Sequence, residues 1–143
     1  MPYGISKVTV WVGEIADRKG GLAQVLEPLA AAGVNLEFVI ARRQEAKPGL
    51  GLVFVSPIRG AAQIRAARQA GLWQAESMHS LRLIGPDRPG LGARIASAVA
   101  AAGVNMRGFS AASIGKQCVA YFAFDTADDQ TKAARALKKA LAK

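Results

Sequence analysis

Ala30-Ala31-Ala32-Gly33-Val34-Asn35 recurs letter for letter as Ala100-Ala101-Ala102-Gly103-Val104-Asn105, at an offset of 70 residues. The same offset carries Asp17-Arg18-Lys19-Gly20 onto Asp87-Arg88-Pro89-Gly90. It also pairs Val25 with Ile95, Leu29 with Val99, Ala41 with Ala111 and Phe54 with Phe124. An alanine-rich run would explain the three alanines alone. It does not explain the Gly-Val-Asn behind them, nor the Asp-Arg-x-Gly that precedes each copy in the same register. The chain therefore reads as a duplicated module, one copy expected over 1–78 and the other over 79–143.

Working outward from the repeat, Leu22, Val25, Leu26 and Leu29 recur at helical spacing, with Pro28 inside the same stretch. Gly33 suits the position just past the helix end. Upstream, Lys7–Ile15 reads as a first strand. Downstream, alternation over Val34–Ile40 predicts a second, and Lys47-Pro48-Gly49 a hairpin turn. Leu50, Leu52 and Phe54 alternate on a third strand. Arg59–Ala70 is expected as a helix, and Leu72–Met78 as a fourth strand. In the second copy, strands are expected over Ser80–Gly85, Val104–Ser113 and Gln117–Phe124. Its helices are expected over Gly90–Ala102 and again after Asp125, with Thr126 or Asp128 as the cap of the latter.

The order β-α-β-β-α-β predicts an α+β fold: two ferredoxin-like modules, each an antiparallel sheet with helices on one face. The second copy ends before a fourth strand, so its sheet is expected to have an unpaired edge. Val39, Val53, Val55, Phe109, Val119 and Tyr121 are assigned to the sheet faces away from the helices. Such a face is too apolar to leave in water, which predicts an interface between modules or between chains, and with it a dimer or larger assembly.

Apolar residues make up 51% of the 143 and charged residues 20%, enough to build a core and without a tract that reads as disordered. No apolar run resembles a signal peptide or approaches the roughly 20 residues needed to cross a bilayer. With a single cysteine, Cys118, no internal disulfide can form. These features predict a soluble cytoplasmic protein. The net charge is +9, but the basic residues are divided evenly between the halves, 9 over 1–73 and 10 over 74–143. No block of five like charges marks a nucleic-acid arm.

No catalytic constellation is legible. His79 is the lone histidine, at the junction of the copies, with no second histidine or cysteine at metal-ligand spacing. No phosphate-binding loop or dinucleotide fingerprint is present. Neither a cofactor nor a metal is expected, and the chain is read as a non-enzyme.

The informative residues are the two turns that lead from a strand into a helix. The first is Ala16-Asp17-Arg18-Lys19-Gly20-Gly21-Leu22 and the second is Pro86-Asp87-Arg88-Pro89-Gly90-Leu91-Gly92. Backbone N–H groups at a helix start suit a carboxylate, and glycine permits close approach. The structural alternative is that Asp17 and Asp87 brace the turns and the glycines only allow them. Asn35 and Asn105 could contact a ligand, or could serve the neighbouring turn.

Asp-Arg-Pro-Gly-Leu, a helix, and then Ala-Gly-Val-Asn together resemble an ACT domain. The match is close over Asp87–Asn105. Over Asp17–Asn35 Lys19 stands where proline is usual, and Gly21-Leu22-Ala23 resembles the usual helix start. The resemblance implies a regulatory protein that binds an amino acid or another small effector at these turns, between paired modules. It would act as a homodimer or larger homo-oligomer, or through a regulated enzyme. Two alternatives stand beside it: a basic nucleic-acid-binding module, which would need Phe109 and Tyr121 exposed for stacking, and a structural oligomerisation subunit of an amino-acid-metabolism enzyme.

Overall fold

The computed structural model describes residues 2–75 and 78–142, which form eight strands and four helices. The chain divides into two compact units. One is Thr9–Ala75. The other combines the N-terminal stretch ending at Val8 with the chain after Ala75.

In the Thr9–Ala75 unit the elements are β2 (Trp11–Ala16), α1 (Gly21–Ala31), β3 (Phe38–Arg43), β4 (Leu50–Ser56), α2 (Gly60–Gln69) and β5 (Trp73–Gln74). The sheet order is β3-β4-β2-β5, all neighbours antiparallel. Trp11, Val53, Val55, Val25, Leu29, Ala67 and Leu72 form the core between this sheet and its helices. The fourth strand expected over Leu72–Met78 is only two residues long in β5. Residues 76 and 77 lie outside the described residues.

The other unit holds β1 (Gly4–Val8), β6 (His79–Pro86), α3 (Leu91–Ala101), β7 (Gly108–Ile114), β8 (Gln117–Phe124) and α4 (Ala127–Ala140). Its sheet order is β1-β6-β8-β7. The expected open edge is therefore filled. β1 pairs with β6 antiparallel, from Val8 opposite Ser80 to Gly4 opposite Ile84. The first strand expected over Lys7–Ile15 is in fact two strands in two different sheets, separated at Thr9 and Val10. Residues 4–8 thus depart from the first module as it was expected, and pair the row of N–H and C=O groups that β6 would otherwise leave as a sheet edge.

The repeated hexapeptide has a local physical role. Gly33 and Gly103 take φ near +80°, a conformation that glycine adopts without strain. Gly33 N–H donates to Ala30 O and Val34 N–H to Leu29 O; Gly103 N–H donates to Ala100 O and Val104 N–H to Val99 O. Both helices close in a Schellman motif with an apolar residue just beyond the glycine. That closure delays the next strand. β3 and β7 begin at Phe38 and Gly108, not at Val34 and Val104 as alternation suggested. Pro28 lies within α1 without ending it.

The face assignment needs correction. Val53 and Val55 are fully buried in the helix-side core, and the register puts Val39 opposite Val55 on the same face. Phe109 also lies on the helix side, opposite Phe122, with the two rings stacked at 5.4 Å. Val119 and Tyr121 do lie on the other face, out of parity with Cys118, Ala120 and Phe122. The confusion has a simple origin. On β4 both rows, Leu50-Leu52-Phe54 and Gly51-Val53-Val55, lack polar residues, so nothing in the strand marks which side is inward. Trp11 is buried, whereas Trp73 is 48% exposed.

Candidate functional site

Both turns are built by the same local rule. Gly20 and Gly90 precede α1 and α3 with φ of 80° and 81°, and no side chain caps either helix. The N–H groups of the first helical turn are thus not taken by a capping side chain, and they carry the positive end of the helix dipole. Gly21 N–H donates to Arg18 O, and Leu91 N–H to Arg88 O. The turns are anchored to the neighbouring hairpins: Asp17 N–H donates to Gly49 O and Asp87 N–H to Lys116 O.

Around the first turn lies an open groove of about 260 Å³. It is lined by the apolar Ile15, Leu22 and Ala41, the small Ala16 and Gly51, the charged Asp17, Arg18 and Arg43, and Arg42, whose backbone carbonyl lies beside Gly51. The volume is below the ~300–1,000 Å³ of drug-sized sites. Arg43 Nε donates to Asp17 Oδ2 at 2.6 Å. Arg18 Nη2 donates to Gln24 Oε1 at 3.0 Å, and Arg42 Nη1 to Ala41 O at 3.2 Å. Gly21 is pressed against the Ala16 carbonyl so closely that any Cβ would collide with it. Gly21 is what lets α1 start this near the end of β2.

Of the expected first-turn residues, the structure brings together Ala16, Asp17, Arg18 and Leu22 as lining, with Gly20 and Gly21 shaping the helix start. Lys19 is exposed and outside the lining. Asn35 follows the C-terminal end of α1. Eleven helical residues, about 16 Å, separate it from the turn. Asn105 stands likewise beyond the end of α3. Arg42, Arg43, Ala41, Ile15 and Gly51 were not legible as site residues, because they reach the turn only through strand pairing. The one signal was the Arg42-Arg43 pair directly behind Ala41, the partner of Ala111 in the repeat.

The second turn, Pro86 to Gly92, is furnished differently. Arg43 lies opposite Gly51 on its hairpin, and Ser113 lies opposite Cys118 on the equivalent one, so Ala112 and Ser113 occupy the places of Arg42 and Arg43. Cys118 fills the place of Gly51. Burial pushes its thiol pKa up, and the Asp87 carboxylate pushes it the same way. The N-terminus also closes on this turn. The Tyr3 ring packs where a Cβ on Gly85 would be, and its hydroxyl donates to Pro86 O.

The two aromatics proposed for nucleic-acid stacking lie on opposite faces of the sheet: Tyr121 is buried, and Phe109 stacks on Phe122 while remaining 42% exposed. Among the described residues no cluster of three or more His, Cys, Asp or Glu could hold a metal, and no helix is long and apolar enough to cross a membrane.

No curated protein matches the chain. Solved structures do. The regulatory subunit of aspartate kinase from Thermus thermophilus, in its ligand-free form, superposes with a TM-score of 0.68 at 18% identity, covering 98% of this chain and 97% of that one. Protein BT0572 from Bacteroides thetaiotaomicron gives 0.78 at 14% identity over 94% and 89%. The aspartate kinase of Clostridium acetobutylicum gives 0.63 at 14% identity, with 96% of this chain matching 33% of the enzyme. At such identities these similarities establish the fold. The model of the ACT domain matches twice, over residues 12–70 and 79–143, so the duplication read from the offset of 70 is one of ACT modules and the chain belongs to the ACT-domain family.

Proposed function

We propose that this protein is a non-catalytic regulatory module that binds a small effector, an amino acid, at the first-module turn. The observation that carries the reading is the cavity itself. It joins an uncapped helix start, a carboxylate and guanidinium groups around an apolar wall in a space of metabolite size. A ligand carboxylate suits the helix start and the arginines. A ligand ammonium suits Asp17. Resemblance to the regulatory subunit of aspartate kinase supports an effector role in amino-acid metabolism. The protein then acts in the cytoplasm as a homodimer or larger assembly, or on a partner enzyme, with no cofactor. The second turn, with Asp87, Arg88, Pro89, Gly90, Leu91 and Gly92, is a second effector position in the same reading.

Thermal unfolding of the full chain in the presence of each of the twenty amino acids tests this. A ligand at 100 times its dissociation constant adds about 2.7 kcal/mol. Asp17→Asn should reduce the shift by removing the partner of the ammonium. Silence from all twenty, in both thermal unfolding and calorimetry, would overturn the amino-acid reading.

A further inference from the structure

We propose that two copies of this chain assemble through β7, which pairs antiparallel with its own twin about a two-fold axis at Ala111. This pairing gives the homodimer of the reading above a specific surface, and it requires no effector. β7 ends its sheet, in the order β1-β6-β8-β7, so one side of the strand has no neighbouring strand among the described residues. Such a row of N–H and C=O groups is a template for another strand, and edges that stay free are commonly guarded by charge. The other sheet edges are guarded or short. β3 carries exposed Arg42 and Arg43, β1 carries exposed Lys7, and β5 is two residues long. β7 is Gly-Phe-Ser-Ala-Ala-Ser-Ile, with neither charge nor proline, and all of it but Ser110 is exposed.

The backbone of β7 is self-complementary. Ile114 and Gln117 flank the two-residue turn Gly115-Lys116, with Gly115 at φ 61°. A pair that closes such a turn exchanges its own N–H and C=O groups across the hairpin. Alternation then turns the N–H and C=O groups of Phe109, Ala111 and Ser113 away from β8. The stacking of Phe109 on Phe122 agrees, since side chains approach most closely at the pairs that are not hydrogen-bonded. About an axis at Ala111 the three outward residues meet themselves. Ala111 faces Ala111 of the second copy and Phe109 faces its Ser113, for about six hydrogen bonds between the chains.

The side chains fit the same register. Ile114, 79% exposed, comes opposite Gly108 of the second copy, which has no side chain. Phe109 comes opposite a serine. Each large exposed apolar residue of the strand thus meets one of its smallest, and no like charges are brought together. That fit of large to small is a property of β7 against itself, which is why the partner is a second copy of this chain. A two-fold pairing uses the same patch on both copies and closes at two.

Sedimentation of the full chain over a wide concentration range, without added ligand, tests the pairing. The expected result is a monomer–dimer equilibrium. As the dimer fills, amide exchange should slow at Phe109, Ala111 and Ser113, and should not change at Ser110 and Ala112, whose groups face β8. Ala111→Lys brings two ammonium groups together at the axis and should weaken the dimer roughly tenfold or more, with far-UV circular dichroism unchanged. Ile114→Lys, at a side chain that is almost free of its own chain, carries the same expectation and serves if Ala111→Lys does not fold. Val39→Lys on β3 should leave the dimer intact. A chain that stays monomeric, or a dimer equally strong in the β7 variants, would overturn the pairing; effector binding, read separately by calorimetry, would still stand. A dimer lost in Val39→Lys and kept in Ala111→Lys would move the interface to β3 and overturn it too. Growth beyond two copies would reveal a head-to-tail contact and overturn the two-fold arrangement.

Discussion

The Tyr3 hydroxyl donates to the carbonyl of Pro86 at 2.7 Å, across 83 residues of sequence. This bond clamps the start of β1 to the end of β6, and Tyr3 is only 5% exposed within the core that also contains Leu81, Leu83 and Phe122. The N-terminal residues are therefore a structural part of the module whose helices are α3 and α4. Tyr3→Phe keeps the ring and loses the hydrogen bond, at a cost of about 1 kcal/mol. Tyr3→Ala also leaves a cavity and should cost about 3–5 kcal/mol, in line with other large aromatic truncations. Urea unfolding of the two variants checks the ordering.

Glycines at the two turns should respond oppositely to alanine. Gly21→Ala sets a methyl group against the Ala16 carbonyl, and should destabilise by about 1–3 kcal/mol through forced backbone movement. Gly92 sits in the first turn of α3 with open space around the site of a Cβ. Gly92→Ala should be neutral or stabilising by about 0.4–1 kcal/mol, through lower entropy of the unfolded chain. Thermal midpoints of the pair decide it.

Thr126 caps α4. Its hydroxyl oxygen accepts from Asp129 N–H at 3.0 Å, while Asp128 and Asp129 in the first turn and Lys138 and Lys139 in the last both complement the helix dipole. Thr126→Ala should cost about 0.5–2 kcal/mol and Thr126→Ser very little. Amide exchange should quicken first at residues 127–130.

Burial holds the Cys118 thiol above its ordinary pKa, with the Asp87 carboxylate acting in the same direction. The folded chain thus keeps its thiol proton more tightly than the unfolded chain. The stability linked to it is fully present below the unfolded value, about pH 8.5, and is lost as pH rises from there toward the folded value. Stability should fall over that window in the wild type and less steeply in Cys118→Ala. Iodoacetamide at pH 8 should modify the native thiol slowly and the urea-unfolded thiol at the rate of a free one.

The Asp17–Arg43 pair separates binding from stability. Both side chains are substantially exposed, at 32% and 74%, so the pair contributes at most about 1 kcal/mol to folding. Arg43→Gln should leave the thermal midpoint nearly unchanged and still weaken effector binding. Comparing unfolding with calorimetry on one variant shows whether the two effects part.

The duplication, the α+β class, the helix stripes and the Gly33 and Gly103 helix ends were legible because each is local. Helical periodicity, a left-handed glycine and a constant offset need no knowledge of what lies far along the chain. The strand-to-helix turns Ala16–Leu22 and Pro86–Gly92 were legible as turns for the same reason. Three things were not. Val39, Val53, Val55 and Phe109 were assigned to the wrong sheet face, since a strand apolar on both sides carries no inward mark. Lys7 and Val8 read as the start of the strand that became β2, since nothing in Lys7–Ile15 says that the chain changes sheets at Thr9. Arg43 meets Asp17 only because β3, β4 and β2 pair in one register, with Arg43 opposite Gly51 and Gly51 opposite Ile15. The sequence alone determined that two ACT modules exist and where their helices start and stop. The tertiary structure decided which strand completes which sheet and which charges surround the turn, because strand pairing joins distant residues and local pattern does not encode its partner.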